Sequence, residues 1–142
     1  MIVYLDTSVI LRKLLGEKGS LADWGDWQAC YTSAVAHVET MRVLDRLRLQ
    51  GKLTDAELAH VVTAARETWA EVGVVALSDA VLARAAQSFP TVLGTLDAIH
   101  LSSAILLVES RKAPLCLLTH DARLGIGAQA VGIESRGFAG SS

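Results

Sequence analysis

The chain has 142 residues, of which 51% are hydrophobic and 20% charged, with a formal net charge of −2. That balance suits one domain with one sizeable core and excludes a disordered chain. It also excludes a strongly basic field as the main route to nucleic acid, so any such binding has to use a local patch.

In chain order, Ile2-Val3-Tyr4-Leu5 is a continuous apolar run ending in Asp6-Thr7-Ser8. It reads as a strand buried on both faces, central in a parallel sheet. Val9 to Leu15 has helical character, closed by Gly16 and Gly19. Ser20 with Asp23 resembles a capping box and predicts a short helix from Leu21 to Ala29. That segment carries Trp24 and Trp27, which can pack into the core or form an apolar patch for a partner. Cys30-Tyr31-Thr32 is a second strand, and Ser33 caps a helix from Ala34 to Gln50 that stops at Gly51.

Thr54-Asp55-Ala56-Glu57 is a capping box for a helix reaching Glu71. After Gly73, Val74 to Leu77 reads as a third buried strand, and Ser78-Asp79 caps a helix from Ala80 to Ser88. Thr95 opens an apolar helix from Leu96 to Ser110, and Leu115 to Leu118 is a fourth strand. Ala122 to Ala130 is a weak helix because it contains Gly125 and Gly127, and Val131 to Glu134 suits an edge strand. The expected domain is 1–136, with 137–142 a flexible tail. Strands alternating with helices mean an α/β domain with a parallel sheet and right-handed crossovers. Cys30 and Cys116 have no C-x-x-C spacing and read as reduced cysteines of a cytosolic protein, although two cysteines can in principle pair. No apolar stretch reaches the length of a membrane span and no signal peptide is evident, so the expectation is a soluble, cytoplasmic protein.

Four acids carry the chemical question. Asp6 and Asp121 each follow a buried strand and precede a helix. Each can be an N-cap, or can face a crevice at the carboxyl ends of the strands, where sheet order reverses. Glu39 shares a helical stripe with Val35, Arg42 and Arg46, which can be a solvated face with a Glu39–Arg42 pair. Asp97 lies in the first turn of the apolar helix, where the dipole favours an acid whether or not it serves a site. His100, one turn on, reads as an ordinary core histidine with one satisfied nitrogen. Carboxylates converging in one crevice repel one another and their pKa values rise. A divalent cation relieves that repulsion, and hard oxygen ligands favour Mg2+ or Mn2+ over zinc. His37, His60, His100 and His120 lack zinc-ligand spacing. Neither a G-x-x-x-x-G-K phosphate loop nor a G-x-S-x-G nucleophile elbow occurs.

Four motifs together resemble a known family: Leu5-Asp6-Thr7-Ser8; Ser33-Ala34-Val35-Ala36-His37-Val38-Glu39-Thr40-Met41-Arg42; Leu96-Asp97-Ala98-Ile99-His100-Leu101-Ser102-Ser103-Ala104; and Thr119-His120-Asp121-Ala122-Arg123-Leu124. In this order they resemble PIN-domain ribonucleases, and among them the VapC toxins of bacterial toxin–antitoxin pairs. The resemblance runs from Ile2 to about Gly132. It implies a three-layer α/β/α domain with sheet order 3-2-1-4-5 and hydrolysis of RNA phosphodiesters by a metal-activated water. It implies Asp6 and Asp97 as metal ligands, joined by Asp121 directly or through water, with Glu39 orienting the metal or a water. Thr7, Ser8 and Thr119 would hold the carboxylates or touch a phosphate, and Arg42 would bind phosphate or pair with an acid. Arg12, Lys13, Arg46 and Arg123 are weaker candidates for an RNA path. The implied partners are RNA, a second copy of the chain, and a small antitoxin whose C-terminal segment covers the crevice, a surface to which Trp24 and Trp27 could contribute. The glycine-rich segment around Gly125 and the tail after Gly132 depart from the pattern.

Two other classes compete. A receiver-type phosphorylation switch would need paired acids after strand one, where only Asp6 stands, and a Lys after the last core strand; Asp79 could mimic its phosphoacceptor. A PIN-like binding module without catalysis is the other, and the presence of all four acids argues against it.

Overall fold

Val3, Tyr4 and Leu5 are all fully buried, and side chains alternate across a strand, so this short run has to be covered on both faces. The computed structural model, which describes residues 1–141, shows how. Strand β1 (Ile2–Leu5) lies between β2 (Ala29–Ser33) and β4 (Cys116–Leu118), with β3 (Gly73–Val75) and β5 (Glu134–Arg136) at the edges. All four pairings are parallel, in the order β3-β2-β1-β4-β5. The order reverses between β1 and β4, as expected for this resemblance.

Among the described residues six helices cover the sheet: α1 (Thr7–Leu14), α2 (Ala34–Leu49), α3 (Asp55–Glu71), α4 (Asp79–Ala85), α5 (Thr95–Arg111) and α6 (Ala122–Ala130). On one face Val3 and Leu5 pack with Val9 and Ile10 of α1 and Ala36 of α2, backed by Trp69 of α3. On the other, Tyr4 and Leu117 pack with Leu101 and Ala104 of α5 and Leu124 and Ala128 of α6. Each fully buried Val, Leu or Ile contributes roughly 1.5–3 kcal/mol. Cys30 and Cys116 both stand opposite Val3, on either side of β1. Two strand spacings of about 4.8 Å put their Cα atoms beyond the roughly 7 Å limit for a disulfide. Both are free, and burial pushes their thiols up to about 12 and about 11, so they are packing groups.

Four local expectations are corrected. Residues 21–28 form turns, not a helix, with Gly25 at φ +96°. The turns let Trp24 and Trp27 meet edge-on, ring centroids 5.3 Å apart, while both pack against the core. The third strand ends at Val75 and lies at an edge, with Val74 half exposed. The last strand starts at Glu134 because Gly132, at φ +83°, turns the chain and Ile133 N–H still closes onto Ala128. Gly137 and Phe138, placed in the expected tail, are tied down: Phe138 is buried, and His120 Nδ1 donates to the Gly137 carbonyl at 2.7 Å. Ser142, the last residue of that expected tail, lies outside the described residues.

Phe138 also explains the helix that its glycines make weak by propensity. A Cβ on Gly125 would lie 2.2–2.6 Å from three ring atoms of Phe138. Overpacking of this kind costs about 1–3 kcal/mol, whereas Gly→Ala in a free helix gains up to about 1 kcal/mol. Gly125→Ala is therefore expected to lower stability in chemical denaturation of the wild-type background. In a Phe138→Ala background the same change is expected to be neutral or stabilising, and a penalty of equal size in both backgrounds would refute the packing account.

Candidate active site

The reversal between β1 and β4 aligns the two strand ends. Leu5 pairs with Leu118, and Asp6 N–H donates to the Leu118 carbonyl at 3.0 Å. The next residues, Asp6 and Thr119, therefore meet at one rim. Asp6 is the N-cap of α1, but capping is only part of what it does. Its Oδ2 accepts from Ser8 N–H at 3.3 Å, Ser8 Oγ at 2.5 Å and Thr119 Oγ1 at 2.9 Å. A buried carboxylate needs such donors to stay ionised. Oδ1 has no hydrogen bond among the described residues; His100 Nε2 stands 3.5 Å away.

Ser8 and Thr119 are in turn held by the other rim loop. Ser8 Oγ accepts from His120 N–H at 3.0 Å, and Thr119 Oγ1 accepts from Asp121 N–H at 2.9 Å. Asp121 is exposed and caps α6, its Oδ1 accepting from Arg123 N–H at 2.8 Å and Leu124 N–H at 3.3 Å. Asp97, in the first turn of α5, has no hydrogen bond to its side chain among the described residues. Its partial burial, then the charges of Asp121 and Asp6, raise its carboxyl above the ordinary value. Those three acids thus feel one another across the rim.

Glu39 comes from the second turn of α2. Its Oε1 accepts from Thr7 Oγ1 at 2.8 Å and lies 2.7 Å from His100 Nε2. Thr7 Oγ1 is itself 3.2 Å from that nitrogen. The His100 ring is buried, and Nδ1 stands 2.9 Å from the Tyr4 hydroxyl. Both ring nitrogens are engaged, so His100 is not the bystander the sequence suggests. Burial opposes its charged form, but the bond with Glu39 and the charges of Asp6, Glu39 and Asp97 outweigh this and raise its pKa. The signal available in sequence was its place one helical turn after Asp97 inside an apolar helix.

The hydroxyls of Thr7, Ser8 and Thr119 all stand on carboxylates. Arg42 does not pair with Glu39: it is exposed, 3.4 Å from Asp45, which also binds Arg48 at 2.9 Å. Of the other bases, Arg12 pairs with Glu17 at 3.8 Å, and Lys13 stands over the Trp24 ring at 5.6 Å. Arg46 is exposed on α2. Arg123 stands near enough to the rim for its charge to act on Asp97. Asp79 is an exposed first-turn residue of α4 beyond the edge strand β3, away from the reversal.

The donor set at the rim is carboxylate and hydroxyl oxygen, which suits a hard dication. Among the described residues no group of three or more His, Cys, Asp and Glu side chains is gathered closely enough to hold a metal ion. Mg2+ is commonly held by one or two carboxylates with water completing its shell, and the free Oδ1 of Asp6 and the unbonded Asp97 fit that mode.

A parallel α/β sheet with acids beyond the carboxyl ends of its strands, where the order reverses, defines a class of fold. Within it, the PIN domain family model matches residues 3–125, and the chain belongs to the PIN-domain family. It is 28% identical over 137 residues to Ribonuclease VapC47 of Mycobacterium tuberculosis (strain CDC 1551 / Oshkosh), covering 92% of each chain. In fold it is similar to a crystal structure of FitAcB from Neisseria gonorrhoeae, with a TM-score of 0.65 and 17% identity over 95% of this chain and 96% of that one.

Asp97 provides a metal-free test of the convergence. Its folded pKa is raised, so its contribution to stability is fully present below the unfolded value and is lost as pH rises through the folded one. In a carboxyl NMR titration without metal, Asp97 is expected to titrate above the ordinary value of about 3.9. Asp121→Asn should bring it down. A wild-type Asp97 titrating at or below the ordinary value would show that these acids do not share a crevice.

Proposed function

We propose that this chain is a cytoplasmic, Mg2+- or Mn2+-dependent endoribonuclease and the toxin of a toxin–antitoxin pair. One observation supports the reading: in a chain of the PIN-domain family, Asp6 Oδ1 and the Asp97 carboxylate make no hydrogen bond among the described residues, and the charges of Asp121 and Asp6 act on Asp97. The similarity to Ribonuclease VapC47 supports RNA as substrate and a VapB-like antitoxin as partner.

In this reading Asp6 and Asp97 would hold the cation, joined by Asp121 directly or through a water, and Glu39 would orient the metal or a water. When bound, the ion supplies positive charge for the scissile phosphate and lowers the pKa of a water. The chain's own residues do the rest. Thr7, Ser8 and Thr119 fix the carboxylates in place before substrate arrives, which spares reorganisation during the reaction. Arg123 lies where it can meet a phosphate at the rim, and the exposed Arg42 and Arg46 of α2 extend a basic path for the strand. A second copy is proposed to pack over the groove between α4 and α5, which the exposed Leu82 and the half-buried Leu93 line, and over the neighbouring exposed residues Val92, 85% exposed, and Leu96.

The reading predicts RNA cleavage that requires Mg2+ or Mn2+ and stops with EDTA. Asp6→Asn and Asp97→Asn are each expected to reduce the rate by about 100-fold or more. Sequencing the 5′ ends of RNA from cells briefly expressing the protein would identify the cleaved site. If no RNA is cut while an antitoxin still binds, the chain is a PIN-like binding module instead. For the dimer, Val92→Glu is expected to halve the mass seen by light scattering, and an unchanged mass would remove that face as the interface.

A further inference from the structure

The geometry points to His100 as a positioning residue that ties the acids of three separate elements into one constellation, with Tyr4 setting its ring. The role rests on the reading of the rim as a metal-binding nuclease site. A carboxylate oxygen can only accept, so the 2.7 Å contact between Glu39 Oε1 and Nε2 requires the proton on Nε2 in either charge state of the ring. Nε2 is then a donor and not a metal ligand. On the other side, burial holds the Tyr4 phenol well above its ordinary value, so it keeps its proton. Its hydroxyl lies 2.9 Å from Nδ1 and fixes the ring from behind.

The consequences run through the fold. Tyr4 is in β1, two residues before Asp6; Glu39 is in α2; His100 and Asp97 are one turn apart on α5. The chain of contacts Tyr4–His100–Glu39–Thr7 therefore locks the helix that brings Asp97 to the strand that brings Asp6 and the helix that brings Glu39. Glu39 has a flexible side chain whose ordering opposes a fixed pose. Two donors on the same oxygen, Thr7 Oγ1 and His100 Nε2, hold that pose and leave Oε2 for the crevice. Outer partners of this kind commonly govern metal affinity by about 10–100-fold.

The test separates donor geometry from mere core filling. His100→Gln can place an amide N–H near the Nε2 position, whereas His100→Asn reaches only the Nδ1 position, and His100→Leu fills space without a donor. Mn2+ affinity by calorimetry is expected to fall about 10–100-fold for Leu and Asn and to recover substantially for Gln. Tyr4→Phe, which keeps the ring and should fold, is expected to give a smaller loss. A double-mutant cycle of His100→Leu with Glu39→Gln should be strongly non-additive in Mn2+ affinity, because both changes remove the same link. In metal-free protein, the imidazole Nε2–H resonance is expected to move in Glu39→Gln. Wild-type Mn2+ binding with equal affinity in folded His100→Leu, or an additive cycle, would overturn the positioning role alone. Wild-type protein that binds no Mn2+ overturns the metal reading and this role together. Binding of Mn2+ with the expected cycle but without RNA cleavage sustains the positioning role and removes the nuclease reading.

Discussion

A buried carboxylate at the end of a central strand is the constraint on which the rest of the structure depends. Asp6 is only 6% exposed, and water cannot solvate it adequately. Its charge is supported by hydroxyls and an amide from two separate segments, Ser8 at the start of α1 and Thr119 beyond β4. Those donors meet only because β1 and β4 are hydrogen-bonded neighbours with Leu5 opposite Leu118. A different strand order would leave Asp6 with local partners alone. The parallel sheet and its reversal are thus electrostatic requirements as well as packing solutions.

The same constraint explains why the site is assembled from hydroxyl–carboxylate pairs and not from cations. Ser8 and Thr119 on Asp6 and Thr119 beneath the Asp121 backbone form one connected set, and Thr7 on Glu39 forms a second that meets it through His100. These hydroxyl donors hold the acids in place without cancelling their charge; His100, whose charged form the acids favour, is the exception and bonds Glu39. Cationic side chains lie outside this set: Arg42 turns to Asp45 and Lys13 to Trp24. In the proposed reading, a negative crevice with bases at its margin would attract a dication first and then a polyanion around it.

Packing around the site is tight where the chain must turn. Gly125 allows α6 to lie against Phe138, and that contact brings the segment after β5 back beneath the rim loop, where Gly137 meets His120. His120 N–H in turn supports Ser8. A terminal segment that reads as loose thus braces the loop that positions Asp121. The Trp24–Trp27 turn serves another part of the core, where both rings meet edge-on and pack against the buried cluster.

Much of this was legible from residues alone. The apolar run Ile2–Leu5, the Thr54–Glu57 capping box and the apolar helix from Thr95 are local patterns, and local backbone energetics settle them. The motifs around Asp6, Glu39, Asp97 and Asp121 also marked the candidate acids before any contact was known. Tertiary structure alone decided which oxygen of each acid is anchored, that Arg42 leaves Glu39 for Asp45, that residues 21–28 turn instead of coiling, and that His100 uses both nitrogens. The physical reason is range. Caps and periodicity act within a few residues, whereas the partners of His100 lie 61 and 96 residues away and exist only once the sheet has closed.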